Sequence, residues 1–138
     1  MASGIHNRFK ANLMNKLVDL VNDVVKCMLL TSTHSFNPDH NVKADIVANE
    51  ISGTGYTAGG QALTTKSVTQ DNTNDLAKFD ADDVVWSDAT FTAHYAVLYD
   101  DTLANDDLIC CFDFAEDKSV ESASFTIQWN ANGIIKLS

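Results

Sequence analysis

The sequence predicts an all-β protein: an antiparallel β-sandwich or barrel of jelly-roll-like type, with a short N-terminal helix or arm. Three observations carry this expectation. About eight or nine short runs rich in branched and aromatic residues follow one another, with turn signals about every 8–12 residues. One run alternates cleanly, placing Phe91, Ala93, Tyr95, Val97 and Tyr99 on one face and Thr90, Thr92, His94, Ala96 and Leu98 on the other. No βα unit repeats, which excludes a doubly wound parallel sheet and a TIM barrel. With 138 residues, 45% of them apolar, the chain is long enough to bury a core without disulfides or metals. The expected division is an N-terminal arm and short helix over 1–20 and a single β-sandwich domain over 21–138.

Each element has its own signal. Phe9, Leu13 and Leu17 recur at i, i+4 and i+8, with Leu20 three further on, which predicts an amphipathic helix over 7–20. Val24–Thr31 is rich in branched apolar residues and reads as a buried strand. Residues 32–45 are polar, hold the only proline, Pro38, and read as a long irregular excursion. The glycines between Gly53 and Gly60 mark a loop, and Ala62–Thr69 a strand. Asp71–Asp75 is a turn, because Asn and Asp side chains bond their own backbone. Short strands are expected at Leu76–Phe79 and Val84–Trp86, around Asp80–Asp83. After Thr90–Tyr99, an acidic connection, Asp100–Asp107, leads into a strand over Leu108–Phe114. Phe125, Ile127 and Trp129 share one face of a further strand. The turn Asn130–Gly133 joins it to Ile134–Leu137, and the two read as a hairpin.

Charge excludes several functions. Nine Lys and Arg stand against 19 Asp and Glu, a formal net charge of −10, and Arg8 is the only arginine. That argues against nucleic acid, whose phosphates require clustered cations, and against anionic membrane surfaces. No apolar run reaches the length of a membrane-spanning helix, and Met1–Lys10 has no apolar stretch of the secretory type. Residues 1–30 sum to +2 and residues 31–138 to −12. The plain reading is that the acids keep an exposed face soluble; the sharper one is a basic N-terminal segment that docks on an acidic partner. Cys27, Cys110 and Cys111 are an odd number in apolar contexts, which suits free core cysteines made in a reducing cytoplasm. Strand alternation expects one of Cys110 and Cys111 to point inward.

No motif carries catalysis. Gly53-Thr-Gly-Tyr-Thr-Ala58 matches a loose dinucleotide fingerprint, but a strand follows where that mechanism needs a helix. Asp80, Asp82 and Asp83 fail the EF-hand spacing, because Val85 and Phe91 occupy the sixth and twelfth positions. A cation site of another kind on these residues, or on Asp100, Asp101, Asp106 and Asp107, is the alternative to plain solvated carboxylates. His6, His34, His40 and His94 have no zinc spacing, and His94 is expected at an exposed or edge position. There is no G-x-S-x-G elbow, and apolar neighbours raise the Cys27 thiol pKa, against reactivity. No catalytic, metal or cofactor-binding residue is assigned. Trp86, Trp129, Tyr56, Tyr95 and Tyr99 either fill the core or offer stacking platforms to a carbohydrate.

Five strings stand in order along the chain: Asn7-Arg-Phe-Lys-Ala-Asn-Leu13, Asn49-Glu-Ile-Ser-Gly-Thr-Gly-Tyr-Thr-Ala-Gly-Gly60, Phe79-Asp-Ala-Asp-Asp-Val-Val-Trp86, Ala93-His-Tyr-Ala-Val-Leu-Tyr-Asp100 and Phe125-Thr-Ile-Gln-Trp-Asn-Ala-Asn-Gly-Ile134. As an ordered set covering nearly the whole chain, they resemble a family of small structural proteins encoded among the virion genes of tailed bacteriophages. The resemblance implies a non-enzymatic particle component without cofactor, nucleic-acid or membrane partner. The first expectation is a capsid decoration (cement) protein on the outer surface of the virion, made in the host cytoplasm. It would bind the major capsid protein lattice, stabilise the shell and self-associate, most plausibly as a trimer. A tail or head–tail accessory protein is the second. Met1–Lys10 is then expected to be an arm reaching a neighbouring capsid subunit, with Arg8, Phe9 and Lys10 as contacts and Phe9 as anchor.

Overall fold

The runs expected as separate short strands between residues 84 and 127 are two long ones. A computed structural model describes residues 3–138. In chain order the elements are β1 (Gly4–Ile5), α1 (Asn7–Met14), β2 (Val25–Leu30), β3 (Gln61–Ala62), β4 (Ser67–Asp71), β5 (Leu76–Asp80), β6 (Val84–Asp100), β7 (Asp107–Ile127) and β8 (Ile135–Leu137). All pairings are antiparallel. They form a five-stranded sheet, ordered β1-β7-β6-β2-β3, and a three-stranded sheet, β4-β5-β8. The protein is thus all-β with one helix.

The β6–β7 hairpin organises the rest. Its outer half includes the polar stretch 115–124, which carries no alternation signal. Cross-strand polar pairs hold it: the Thr92 and Ser119 hydroxyls lie 2.7 Å apart, and Ser122 N–H donates to Thr90 Oγ1 at 3.0 Å. The ladder slips near its middle. Ala93 pairs with Lys118 but Tyr95 with Asp113, so β7 uses five positions where β6 uses two. The surplus bulges out around Ala115, which has φ +68°.

That slip corrects the alternation read from Thr90–Tyr99. Phe91 and Ala93 lie on one core face, together with Ala96 and Leu98, whereas Tyr95, Val97 and Tyr99 lie on the other. A slip of this kind exchanges the faces of every residue beyond it. The inner half of the sheet is buried on both sides, so apolar residues fill both sets of positions there. Cys110 and Cys111 are accordingly both buried, one in each core, and all three cysteines are free.

Each face has its own cover. On the first, Val25, Cys27, Leu29 and Leu98 meet Phe79 and Ile135 of the second sheet and Phe9 of α1. On the second, Met28, Leu30, Tyr95, Val97 and Tyr99 are covered by Phe36 and Ile46. Those two residues belong to a strap over residues 31–50, which contains the segment 32–45 read as an irregular excursion. It is tied down at both ends. Thr31 N–H donates to Asn49 O (2.8 Å), Leu108 N–H to Asn41 O (2.9 Å) and Lys43 N–H to Asp106 O (3.0 Å).

Three further expectations are corrected. The helix stops at Met14 instead of reaching residue 20. β8 pairs with β5, not with the end of β7, because the chain turns at Asn130–Gly133 toward the second sheet. Residues 3–10 are part of the domain, not a free arm: Gly4 and Ile5 extend the sheet along Cys111 and Cys110, and His6 N–H donates to Ile109 O at 3.0 Å. Met1 and Ala2 lie outside the described residues.

The glycine-rich loop is structural. Tyr56 OH donates to Glu50 Oε2 (2.6 Å), Gly59 N–H donates to the same oxygen (2.7 Å), and Tyr99 OH donates to Gly59 O (2.6 Å). Gly60 has φ +80°, and a Cβ there would stand 1.9 Å from the Cys27 carbonyl oxygen. Gly60→Ala should therefore destabilise by about 2 kcal/mol or more, read from a denaturant midpoint; an unchanged midpoint would show that the loop does not press on β2.

Candidate docking surface

The site begins where α1 ends. Leu17 N–H donates to Asn12 O (2.9 Å) and Lys16 N–H to Leu13 O (3.3 Å), with Lys16 at φ +62°. This is a Schellman stop, built here on a lysine where glycine is usual. The chain leaves the helix axis, so the apolar stripe divides. Phe9 enters the core at 3% exposure, Leu13 is half-buried, and Met14, Leu17 and Val21 stay on the surface, Met14 at 83% exposure. Asp19 fixes the turn that follows by accepting N–H bonds from Val21 and Asn22 (3.1 Å each), and the Asn22 side chain holds its carboxyl below the usual range.

The second sheet supplies the facing wall. Its pairings Val68↔Phe79, Phe79↔Ile135 and Ala77↔Leu137 place these five side chains on one face. Phe79 and Ile135 are buried, whereas Val68 and Leu137 are exposed, Leu137 at 62%. Between the walls runs an open groove of about 870 Å³, floored by Phe9, Leu13, Phe79 and Ile135. Apolar side chains on both lips of one groove mark an interaction surface more clearly than scattered exposed residues do.

Its charge is opposite to that of the chain. Lys10, Lys16, Lys78 and Lys136 border the groove, against Asp19 and Asp23. Elsewhere, Lys26 pairs with Asp101 (3.3 Å), Lys43 with Asp106 (3.4 Å) and Lys118 with Glu116, while Lys66 Nζ donates to the Asp23 carbonyl. Among the described residues, the four lysines without an acidic or hydrogen-bonding partner are the four at the groove. In a chain with 19 acids this leaves positive charge uncancelled at one place.

The residues expected to contact a partner divide three ways. Lys10 lies exposed on the groove. Arg8 is partly exposed and turns toward Asp107, its Nε 3.9 Å from the carboxylate. Phe9 is spent on the core, so the anchor role expected for it is withdrawn; burial of such a ring contributes about 2–3 kcal/mol to folding. The exposed apolar residues beside it are Met14, Leu17 and Val21. Sequence reasoning missed them because it extended the helix through Leu17.

The other candidates are placed as follows. Trp86, Tyr95 and Tyr99 are buried, and Tyr56 stacks on Trp86 at 6.1 Å. Trp129 packs on Phe112 at 5.4 Å and donates its Nε1–H to Asp82 O. Tyr56 and Trp129 are partly buried and pack against the core. Asp82 accepts from the Thr65 hydroxyl (2.6 Å) and Asp83 from Trp129 N–H (3.0 Å). Asp107 accepts from the Asn12 side chain (2.7 Å). No group of three His, Cys, Asp or Glu is placed to hold a metal among the described residues. His94 is half-buried between Asp117 (2.8 Å) and Asp113 (3.3 Å). Burial pushes the Cys27 and Cys111 thiols up to about 12, where they stay protonated and inert at neutral pH.

No protein-family model, curated protein or solved structure matches this chain.

Asp100 lies fully buried at the end of β6. Its Oδ1 accepts from Thr102 N–H at 3.0 Å, and its Oδ2 has no partner. Burial, and the Asp23 carboxyl beside it, push it up to about 7. The folded state therefore holds a proton that the unfolded chain releases near pH 4, so this contribution is present in acid and lost as pH rises through 7. Asp100→Asn should stabilise the protein by roughly 2 kcal/mol at pH 8, with the gain vanishing near pH 4. Thermal unfolding across pH checks this; a gain that is the same at both pH values would contradict it.

Proposed function

We propose that this chain is a non-enzymatic structural protein of a tailed-bacteriophage particle. In this reading it is a capsid decoration (cement) protein that docks through the lysine-bordered groove on an acidic, partly apolar patch of the major capsid protein. The observation that carries the reading is the coincidence of the chain's unpaired lysines with an open groove that has exposed apolar side chains on both lips. Apolar lips supply burial, and the lysines select a partner of opposite sign. The acidic remainder repels other particles once the protein is bound.

The resemblance of the ordered strings to phage virion proteins supplies the partner class, and the groove supplies the means. A shell offers the same patch many times, so a modest contact suffices when a self-associated protein, a trimer in this proposal, engages several at once. The architecture this reading implies is a jelly-roll-like sandwich, which the shared core of the two sheets supports. The protein would be made in the host cytoplasm and end on the outer surface of the virion.

Leu17→Glu with Leu137→Glu should reduce particle occupancy at least tenfold while moving stability by no more than about 0.5 kcal/mol per site, since both side chains are exposed. Quantitative mass spectrometry of purified virions gives the location. A copy number approaching that of the major capsid protein is expected. A ratio at least tenfold lower would move the protein to the tail or neck and end the shell reading.

A further inference from the structure

Three of the four histidines meet where the strap crosses the sheet, away from the groove. His6, between β1 and α1, is fully buried; His34 on the strap is 4% exposed; His40, also on the strap, is half-buried. The His34 and His40 rings are 6.1 Å apart. His6 stands edge-on to Phe36 at 5.2 Å, and His34 edge-on to Tyr95 at 5.0 Å. Four buried ring nitrogens have no hydrogen-bond partner: both of His6, Nε2 of His34 and Nδ1 of His40. The docking surface uses none of them.

We propose that this cluster is an acid-sensitive latch that holds the strap over the second face of the sheet. Neutral rings fit a dry apolar site, whereas a protonated ring there would be a buried charge without a counter-ion. Among the described residues, no carboxylate stands within ion-pair distance of His6 or His34. On the strap, Asp45 lies toward His40 and Arg8, and Asp39 accepts from the Asn7 side chain (2.9 Å). From β7, Asp113 and Cys111 lie toward the Tyr95 hydroxyl. Among the described residues, the histidine with carboxylate ion-pair partners is His94.

The sign follows from burial. Desolvation, with His40 and His34 close by, lowers His6 to about 4, and desolvation with His40 lowers His34. Opening restores the ordinary value near 6.5, so opening takes up protons. Closure is favoured above that value and weakens as pH falls toward 4. His6 alone should raise the opening equilibrium roughly 50-fold between pH 7 and pH 4.5. Asp100 titrates over the same range with the opposite sign, so it cannot imitate the loss. The uncovered face carries Met28, Leu30, Tyr95, Val97 and Tyr99.

Hydrogen exchange on the full chain, read by mass spectrometry at pH 7 and pH 4.5 and corrected for intrinsic rates, tests the latch. Peptides over residues 31–50 should lose protection by at least about 50-fold while those of the outer hairpin keep theirs. His6→Phe, and His6→Phe combined with His34→Phe, keep the rings but remove the protons, and both should retain more strap protection at pH 4.5 than the wild type, the double variant most. Should either fail to fold at pH 7, the wild-type profile decides alone. A strap that changes by less than threefold, or a hairpin that loses protection in step with it, overturns the proposal.

Discussion

Everything in this fold answers to one constraint: the inner half of the β6–β7 hairpin, with β2 beside it, is apolar on both faces and needs two covers. The helix, the glycine loop and the second sheet cover one face, and the strap covers the other. Burial of a sheet on both sides is unusual for an antiparallel sheet, which commonly keeps one face wet. Polar groups are carried inside with the covers. Three histidines come in with β1 and the strap, and Asp100 ends β6 fully buried. Desolvation favours the uncharged forms of His6, His34 and Asp100, the histidines by losing protons and Asp100 by keeping one.

The two covers are finished differently. The strap closes its face with backbone bonds from Lys43 to Asp106 and from Leu108 to Asn41, and it turns Ile46 inward while Val47 stays exposed. The cover built from α1 and the second sheet does not close. Its apolar residues run past the core onto both lips of a groove, and unpaired lysines stand around them. In a chain of net charge −10, a surface of this kind fits the acidic partner that we propose. The shell of a particle would meet that requirement, and the groove gives the proposal a definite place on the molecule.

Much of the fold was legible in the sequence, and the losses have physical causes. The β-rich pattern, the turn at 71–75 and the core role of the cysteines were readable because branched and aromatic runs bounded by Asn, Asp and Gly leave few alternatives. The face assignment of Thr90–Tyr99 failed because two-sided burial erases the difference between faces. The helix was drawn too long because Lys16 adopts the left-handed conformation without the glycine that would announce it, while Leu17 and Leu20 happen to continue the spacing. The pairing of β8 with β5 joins distant segments that no local pattern connects. Of the docking surface, the basic sign of the N-terminal segment was legible through Lys10 and Lys16. The share of Lys78, Lys136 and Leu137 was not, because only the β5–β8 pairing brings them to the groove.

The most direct test of the docking account is lysine footprinting of the free protein and of the protein bound to purified particles, with an amine-reactive reagent and site-resolved mass spectrometry. The account predicts that Lys10, Lys16, Lys78 and Lys136 lose most of their reactivity on binding while Lys118, on the outer hairpin, keeps its own. Equal reactivity of the four groove lysines in the two states, or protection centred on Lys118, would contradict it.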